Sequence, residues 1–448
     1  MKKTLMQRFY TMLGLSLLTL PVLAQQAVKH EFSIQQAVDY ARKNNVQVKN
    51  ALLNIQAQQQ TNREVTAAAL PNINGSVGVT DYINIPVSLI PGEIFGQPAG
   101  TYIPVQFGTK YNSTATVQLQ QLLFDGQVFT ALKARRTTID FQTKNMEVTE
   151  ELIKSNIYKL YFGLVVSQTQ IDLLDANIAR LQKLRIDATA LYKNGFAEKL
   201  DMDKISVQLS NIETEKVKSL NNISIAYLGI KTLMGMPVKD TLVLTDKITE
   251  DQIKKDFSND TAYIYSDRKE FQYLSLARDL NKFNIQRYKL SYVPTLSLTG
   301  AYSKNAQRNT FDLLGKGDWF TTSYLGFNLA VPIFDGLARS SRVNRSKIEL
   351  RETENQLQNL KLTIDSEVEQ AKINFKSALT TLTFQKKNME LAENVYNQTK
   401  KKFDVGTGSN TEISSAQTDM TTAQTNYVSA LYNAIIAKVD YLKATGKL

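Results

Sequence analysis

The sequence nearly lacks cysteine and histidine, two side chains that enzymes often use for covalent or metal chemistry. Its 448 residues include no cysteine and one histidine, His30. Without cysteine the chain can form no disulfide, thiolate nucleophile or thiolate metal site, and one histidine cannot form a cluster. No carboxylate pair, phosphate-binding loop or nucleophile motif stands out either, so we predict no catalytic residues, no cofactor and no metal. We expect His30 on the surface, near a poorly ordered N-terminus.

Proline and glycine are nearly absent from two long stretches. Seven of the nine prolines fall in two windows, 71–104 and 294–332, and proline interrupts helices. Residues 127–194 contain one glycine, Gly163, and residues 337–405 contain neither glycine nor proline. At 1.5 Å per residue, each stretch predicts a helix about 100 Å long.

Long apolar runs are also scarce, and the main one lies at the N-terminus. Basic residues precede an apolar stretch over 12–23, which ends in small residues before Gln25. This pattern predicts a signal peptide over residues 1–24, because the run is shorter than the ~20 residues that a membrane span needs. No cysteine follows it, so we expect an exported chain without a lipid anchor. No later segment predicts a transmembrane helix.

The charge balance is positive but dispersed. The net charge of +11 falls to +8 when the three positive charges of residues 1–24 are removed. The remaining lysines and arginines are interspersed with acids, as on a solvated helix surface. We therefore predict no nucleic-acid partner.

What the chain does contain is an internal repeat. Leu123–Gly126 (LFDG) returns as Ile333–Gly336 (IFDG), a shift of 210, and Tyr192–Gly195 corresponds to Phe403–Gly406, a shift of 211. A repeat of this length indicates one structural unit built twice. The predicted units span 25–234 and 267–448, and residues 235–266 form a linker between them.

Each proline window predicts a β-hairpin, over about 71–124 and 294–334. The first residues, Pro71 and Pro294, are 223 positions apart, so the first hairpin has 13 more residues, which we assign to a loop over 83–110. Apolar residues alternate with polar ones in strands of ~10 residues, the length of a transmembrane β-strand. The face predicted to contact outer-membrane lipid carries Leu296, Leu298, Leu325, Phe327 and Leu329.

Helices account for the remainder, so the fold class is mainly α with β. Flanking helices are predicted over Ser33–Ala69, Glu198–Leu233, Asp267–Ser291 and Thr411–Leu442. The first long helix carries a mostly apolar stripe with spacings of four and three, typical of coiled-coil packing. Its members are Leu160, Leu164, Ser167, Ile171, Leu174, Ile178, Leu181, Arg185, Ala188 and Tyr192.

Four strands per chain cannot form a closed barrel. An open sheet edge in lipid leaves backbone groups without hydrogen bonds, at several kcal/mol each, and the smallest single-chain barrels have about eight strands. A helix ~100 Å long also needs neighbours to cover its apolar stripe. The sequence therefore predicts a symmetric oligomer in which each chain contributes part of a β-barrel and part of a helical barrel.

The signal peptide, the doubled helix–hairpin–helix–turn–helix unit, the Phe-Asp-Gly before each long helix and the glycine at each helical tip resemble the TolC family of outer-membrane efflux proteins. The resemblance implies a homotrimer with a 12-stranded β-barrel in the outer membrane, continued by a long periplasmic α-helical barrel. It also implies a periplasmic adaptor and an inner-membrane transporter as partners, in an efflux or type I secretion system.

The resemblance also implies roles for the helical tips. The turns at Gly195 and at Gly406–Thr407 correspond to the adaptor-docking tips of the family. Glu412 matches the first of two acidic positions that line the closed entrance, whereas Ser415 occupies the second. Asp419 and Asp201 are the other candidates for the pore constriction. Acids in the first turn of a helix also interact favourably with its dipole and need no other role.

Two other readings remain open from the sequence. A self-standing outer-membrane porin would need more strands than one chain offers. The other is a periplasmic coiled-coil structural protein, such as an adaptor or a surface adhesin; an adaptor would carry a lipoyl-like β-domain between two helices, and the sequence predicts none.

Overall fold

A computed structural model describes residues 28–247, Ile253, 263–312 and 317–448. The predicted signal peptide, 1–24, lies outside the described residues, as does most of the segment 248–262 of the predicted linker. The chain divides into two compact units. One comprises residues up to 49 with Thr149–Ile264 and Ser366–Leu448, and the other comprises Asn50–Val148 and Tyr265–Asp365.

Helices and strands follow the doubled order predicted from the sequence. The helices are α1 Ile34–Asn44, α2 Val46–Ala67, α3 Gly126–Lys193, α4 Lys199–Met234, α5 Lys269–Leu290, α6 Ala338–Asp404 and α7 Asn410–Ala444. The strands are β1 Lys29–Phe32, β2 Asn72–Asp81, β3 Val87–Pro91, β4 Tyr102–Gln106, β5 Tyr111–Phe124, β6 Thr241–Leu244, β7 Thr295–Arg308 and β8 Phe320–Ala330. In the part of the chain that the structure describes, no helix is both long enough and apolar enough to cross a membrane.

An antiparallel four-stranded sheet lies in the second unit, in the order β2-β5-β7-β8. Leu298 stands opposite Phe327, and Leu296 opposite Leu329. The alternating apolar residues of β7 and β8 therefore share one face of the sheet. Within the described residues, β2 and β8 have a strand partner on one side only.

The prediction that residues 83–110 are a loop was wrong in part. β3 and β4 form a separate antiparallel pair there, with Val87 opposite Gln106. The connection between them, residues 92–101, is closed at its base, where the Gly92 amide donates to the Thr101 carbonyl at 2.7 Å. A Cβ at Gly92 would overlap the Thr101 side chain, so this turn requires glycine.

The prediction of a continuous helix over Ser33–Ala69 was also wrong. The chain leaves the helical conformation at Asn45 (φ −60°, ψ 132°). The Asn45 side chain accepts a hydrogen bond from the Gln47 amide at 2.7 Å and donates one to the Leu233 carbonyl at 2.6 Å. Asparagine competes with the helix backbone in this way, so it ends α1 and begins α2.

The first unit contains the ends of the long helices and the short parallel pair β1–β6. A buried cluster joins α1, α3 and α4 through residues such as Val38, Ile157 and Ile230. His30 is only partly exposed, contrary to expectation, because β1 is paired with β6. Its Nε2 lies 3.3 Å from Asp240 Oδ2.

The apolar stripe of α3 follows the prediction as far as Leu181 and again at Ala188, which is buried. Arg185 and Tyr192 are exposed, contrary to the prediction, whereas Leu184, which was not predicted, is buried. Leu184 therefore takes the place of Arg185 on the buried face near the end of the helix, since a charged side chain is rarely buried without a partner.

Candidate functional site

The first helical tip is the turn between α3 and α4. Gly195 has a positive φ of 80°, which favours glycine at the end of a helix. The Gly195 and Phe196 amides donate to the carbonyls of Tyr192 and Leu191 at 3.0 and 2.9 Å. The Phe196 side chain is 81% exposed. This tip therefore presents a fixed backbone turn with an uncovered aromatic ring.

The second tip, between α6 and α7, is held by more hydrogen bonds. Gly406 has a φ of 78°. The amides of Thr407 and Gly408 both donate to the Lys402 carbonyl, at 2.9 and 3.0 Å, and the Thr407 hydroxyl donates to it at 3.2 Å. A Cβ at Gly408 would lie 2.9 Å from the Phe403 nitrogen. Thr407 thus stabilises the turn through its side chain as well as its backbone.

Glu412 begins α7 in a capping box. Its amide donates to Ser409 Oγ at 3.1 Å, and its own carboxylate accepts from the Ser409 amide at 3.3 Å. This reciprocal pair satisfies two backbone donors at the start of the helix. The structure therefore gives Glu412 a local structural role, while its side chain remains exposed.

The other two predicted acids lie on the same pair of helices. Asp419 is exposed on α7, and Asp201 is half-buried in the first turn of α4. The two helices are adjacent near the tips, because the Gln208 side chain on α4 donates to Thr418 Oγ1 at 3.3 Å. Ile205 and Ile413 belong to one buried cluster there. The structure thus brings together the helices that carry Asp201, Glu412 and Asp419.

A charged pair lies one turn before the second tip. Lys400 Nζ lies 2.8 Å from Asp404 Oδ1. Partial burial would lower the pKa of Lys400, but the hydrogen bond and the attraction to Asp404 outweigh that effect and raise it. Lys400 therefore stays charged at neutral pH.

A buried polar network between α3 and α7 was not predicted from the sequence. Asn177, which is 1% exposed, donates to Gln424 Oε1 at 2.8 Å and accepts from Gln417 at 3.1 Å and from Arg180 at 2.8 Å. The signal was available in α7, where Gln417 and Gln424 take apolar positions in the series Ile413, Gln417, Met420, Gln424, Val428, Leu431. Spacings of four and three place such residues on a packed helix face.

The doubled order of helices and strands, the four-stranded sheet, whose edge strands have one partner each within the described residues, and the paired helical tips are the features of a channel-forming outer-membrane protein. The chain matches the outer membrane efflux protein family over residues 37–236 and 268–447, most of its length, and belongs to that family. It is therefore an outer-membrane channel for efflux or secretion, of the TolC type, and not an enzyme.

Individual relatives are distant but cover most of the chain. Outer membrane protein TolC of Vibrio cholerae is 18% identical over 340 residues, which cover 75% of this chain and 77% of that protein. The proteases secretion protein PrtF of Dickeya chrysanthemi is 19% identical, covering 55% of this chain and 54% of PrtF. The crystal structure of the Campylobacter jejuni CmeC outer membrane channel has a TM-score of 0.74 at 18% identity, covering 92% of this chain and 85% of CmeC.

Proposed function

We propose that three copies of this chain form a passive export duct, with a closed barrel of 12 strands in the outer membrane. The observation that carries the proposal is the four-stranded sheet, in which β2 and β8 each lack a strand partner on one side among the residues that the structure describes. In lipid those edges would leave backbone groups without hydrogen bonds. Three sheets of four strands supply twelve and leave no edge.

The long helices support the same assembly. α3 and α6 have 68 and 67 residues, about 100 Å each, and carry exposed apolar side chains such as Leu152, Leu362 and Leu391. In a trimer, twelve helical segments would enclose a tunnel and cover these side chains. The tunnel performs no chemistry, so the substrate is selected by the transporter that delivers it.

The helical tips are the proposed contact with a periplasmic adaptor, which connects the duct to an inner-membrane transporter. Gly195, Gly406 and Thr407 are the docking residues, and the well-defined backbone turns at both tips support this role. Glu412, with Asp419 or Asp201, is the proposed constriction. Three copies of each acid around one axis would attract cations.

The proposed boundaries follow the repeat. The mature chain starts at Gln25, the two repeats span 25–234 and 267–448, and residues 235–266 connect them. The β-hairpins of about 71–124 and 294–334 supply the barrel strands.

The mass of the protein purified from outer membranes in detergent tests the proposal. We expect a particle of three chains, and chemical cross-linking that stops at the trimer. A stable single-chain particle with its full β-content would overturn the trimeric duct and favour a self-standing protein.

A further inference from the structure

The two hairpins have the same strand register. The repeat relates their first strands by 223 residues and their second strands by 210. Asn72 stands opposite Gln120, and the residues at those shifts, Thr295 and Ala330, also stand opposite each other. Hence β7 is the equivalent of β2, and β8 is the equivalent of β5, residue by residue.

The ladder between β5 and β7, which joins the two hairpins, shows how the edge strands β2 and β8 can pair. β5 pairs with β2 on one side and with β7 on the other. In the β5–β7 ladder, Val117 stands opposite Tyr302 and Leu119 opposite Gly300. The repeat equivalent of this ladder joins a β8 to a β2. Within one chain those strands are opposite edges of the sheet, three strand spacings or ~14 Å apart, so the partner must be a second copy.

We propose that β8 of one chain pairs antiparallel with β2 of the next copy in the register of the β5–β7 ladder. The repeat equivalent of Val117 is Phe327 and that of Tyr302 is Val79, so Phe327 and Val79 would stand opposite each other. In the same way Leu329, the equivalent of Leu119, would stand opposite Val77, the equivalent of Gly300. This inference rests on the trimeric barrel proposed above and specifies how its chains join.

The side chains on the two edges fit this register. Phe327 and Leu329 of β8, and Val77 and Val79 of β2, are all exposed. The ladders between the strands place all four on one face of the sheet. The proposed register sets an aromatic residue against a β-branched one, a favourable cross-strand pair. A slip by one residue would move the apolar side chains of one strand to the opposite face.

The shorter lengths of the edge strands also support pairing between β8 and β2 of neighbouring copies. β5 and β7, which have partners on both sides, contain 14 residues each, whereas β2 and β8 contain 10 and 11. β8 ends at Ala330, the equivalent of Gln120, although β5 continues to Phe124. A second ladder extends an edge strand by supplying partners for its backbone groups. We expect β8 to continue past Ala330 in the assembly.

Disulfide trapping tests the register, and the chain offers a cysteine-free background. The test variant combines Val79→Cys with Phe327→Cys. Opposed residues in an antiparallel ladder have Cα atoms ~4.5–5.5 Å apart, within the range of a disulfide. Two matched controls combine Phe327→Cys with Val77→Cys or with Asp81→Cys. These pairs are two residues out of register, ~8 Å apart, and beyond disulfide range.

After oxidation of the assembled protein, the test variant should lose its monomer band on a non-reducing denaturing gel and gain covalent dimers and trimers. Both controls should remain monomers on that gel. Linkage in a control but not in the test variant, or in none of the three variants, overturns the register. The particle mass before oxidation separates the two proposals. A particle of three chains with disulfides in the wrong register would overturn the register but not the trimeric duct. A particle of one chain would overturn both the register and the trimeric duct.

Discussion

Two equivalent helices, α4 of the first repeat and α7 of the second, differ sharply in burial. They have 36 and 35 residues. Leu220 is 43% exposed and its equivalent Leu431 is 7% exposed, while Val217 is 58% exposed and Val428 is 5% exposed. The same apolar positions are therefore uncovered in one repeat and packed in the other.

The difference arises because α7 meets a helix of the other repeat within the same chain. Tyr432 of α7 lies against Gly163 of α3, where a Cβ would come within 3.2 Å of the ring, and Gln424 of α7 bonds Asn177 of α3. The equivalent partner of α4 would be an α6, and Asn388 of α6, the equivalent of Asn177, is exposed. We expect α6 of a neighbouring copy to cover α4.

The largest expected effect comes from a charge at the two equivalent leucines. Leu431→Asp should destabilise each chain by about 3–5 kcal/mol, because it buries an uncompensated carboxylate. Leu220→Asp should leave the chain folded but prevent its assembly. Helical circular dichroism and the trimer band on a semi-native gel measure the two effects, with Leu220→Met and Leu431→Met as controls. A stable trimer of Leu220→Asp would show that α4 stays in water.

A second large effect is expected on the apolar face of the sheet, on the central strand β7 and on the edge strand β8. Leu298 on β7 and Leu329 on β8 share the face predicted to contact lipid. Arginine at either position should cost ~2–4 kcal/mol if it lies at the bilayer midplane. Thermal dissociation of the trimer measures the loss, and Asn328→Arg, on the opposite face, should cost much less. Unimpaired assembly of Leu298→Arg and Leu329→Arg would place this face toward the lumen.

A third, smaller effect is expected at the two equivalent asparagines. Asn177→Ala should cost ~1–3 kcal/mol, because it removes the donor to the buried Gln424 oxygen and leaves Gln417 with only its hydrogen bond to Thr421. The equivalents of those glutamines in α4 are Ser206 and Glu213, so Asn388 has no matching amide pair to bond. Asn388→Ala should therefore change stability by less than about 0.5 kcal/mol. Equal losses in the trimer's melting temperature would mean that Asn388 also has a buried polar partner.

Sequence periodicity was enough to predict the doubled order of helices and strands, both long helices and all four strands of the large sheet. Proline placement and the repeated Asp-Gly and tip glycines mark ends that depend on local backbone geometry. The break at Asn45 was missed, because it depends in part on a contact distant in sequence, that between Asn45 and Leu233. The pairing of β3 with β4 is local, but the prolines of that segment argued against strands. The capping box of Glu412 was readable as Ser-x-x-Glu, although we interpreted that acid through the family resemblance.

The two helical tips also differ between the repeats, in how the helix after each tip begins. Only the second tip starts its helix with a side-chain cap, since Glu198 before α4 makes no such bond. Glutamine can replace glutamate in a capping box. Glu412→Gln therefore removes the charge while keeping the helix start and the trimer.

If Glu412 lines the constriction, its neutral variant should lower the cation selectivity of single channels in planar bilayers and weaken block by multivalent cations. Three carboxylates around one axis attract cations, whereas three neutral glutamine side chains do not. Asp419→Asn and Asp201→Asn are the matched variants, and each should have a smaller effect unless it replaces Glu412 in that role. Ser409→Ala is the control for the cap, because it weakens the helix start by ~1 kcal/mol without changing the charge. Unchanged selectivity and block in all three acid variants would leave these carboxylates as helix-start and surface residues, and would place the constriction elsewhere.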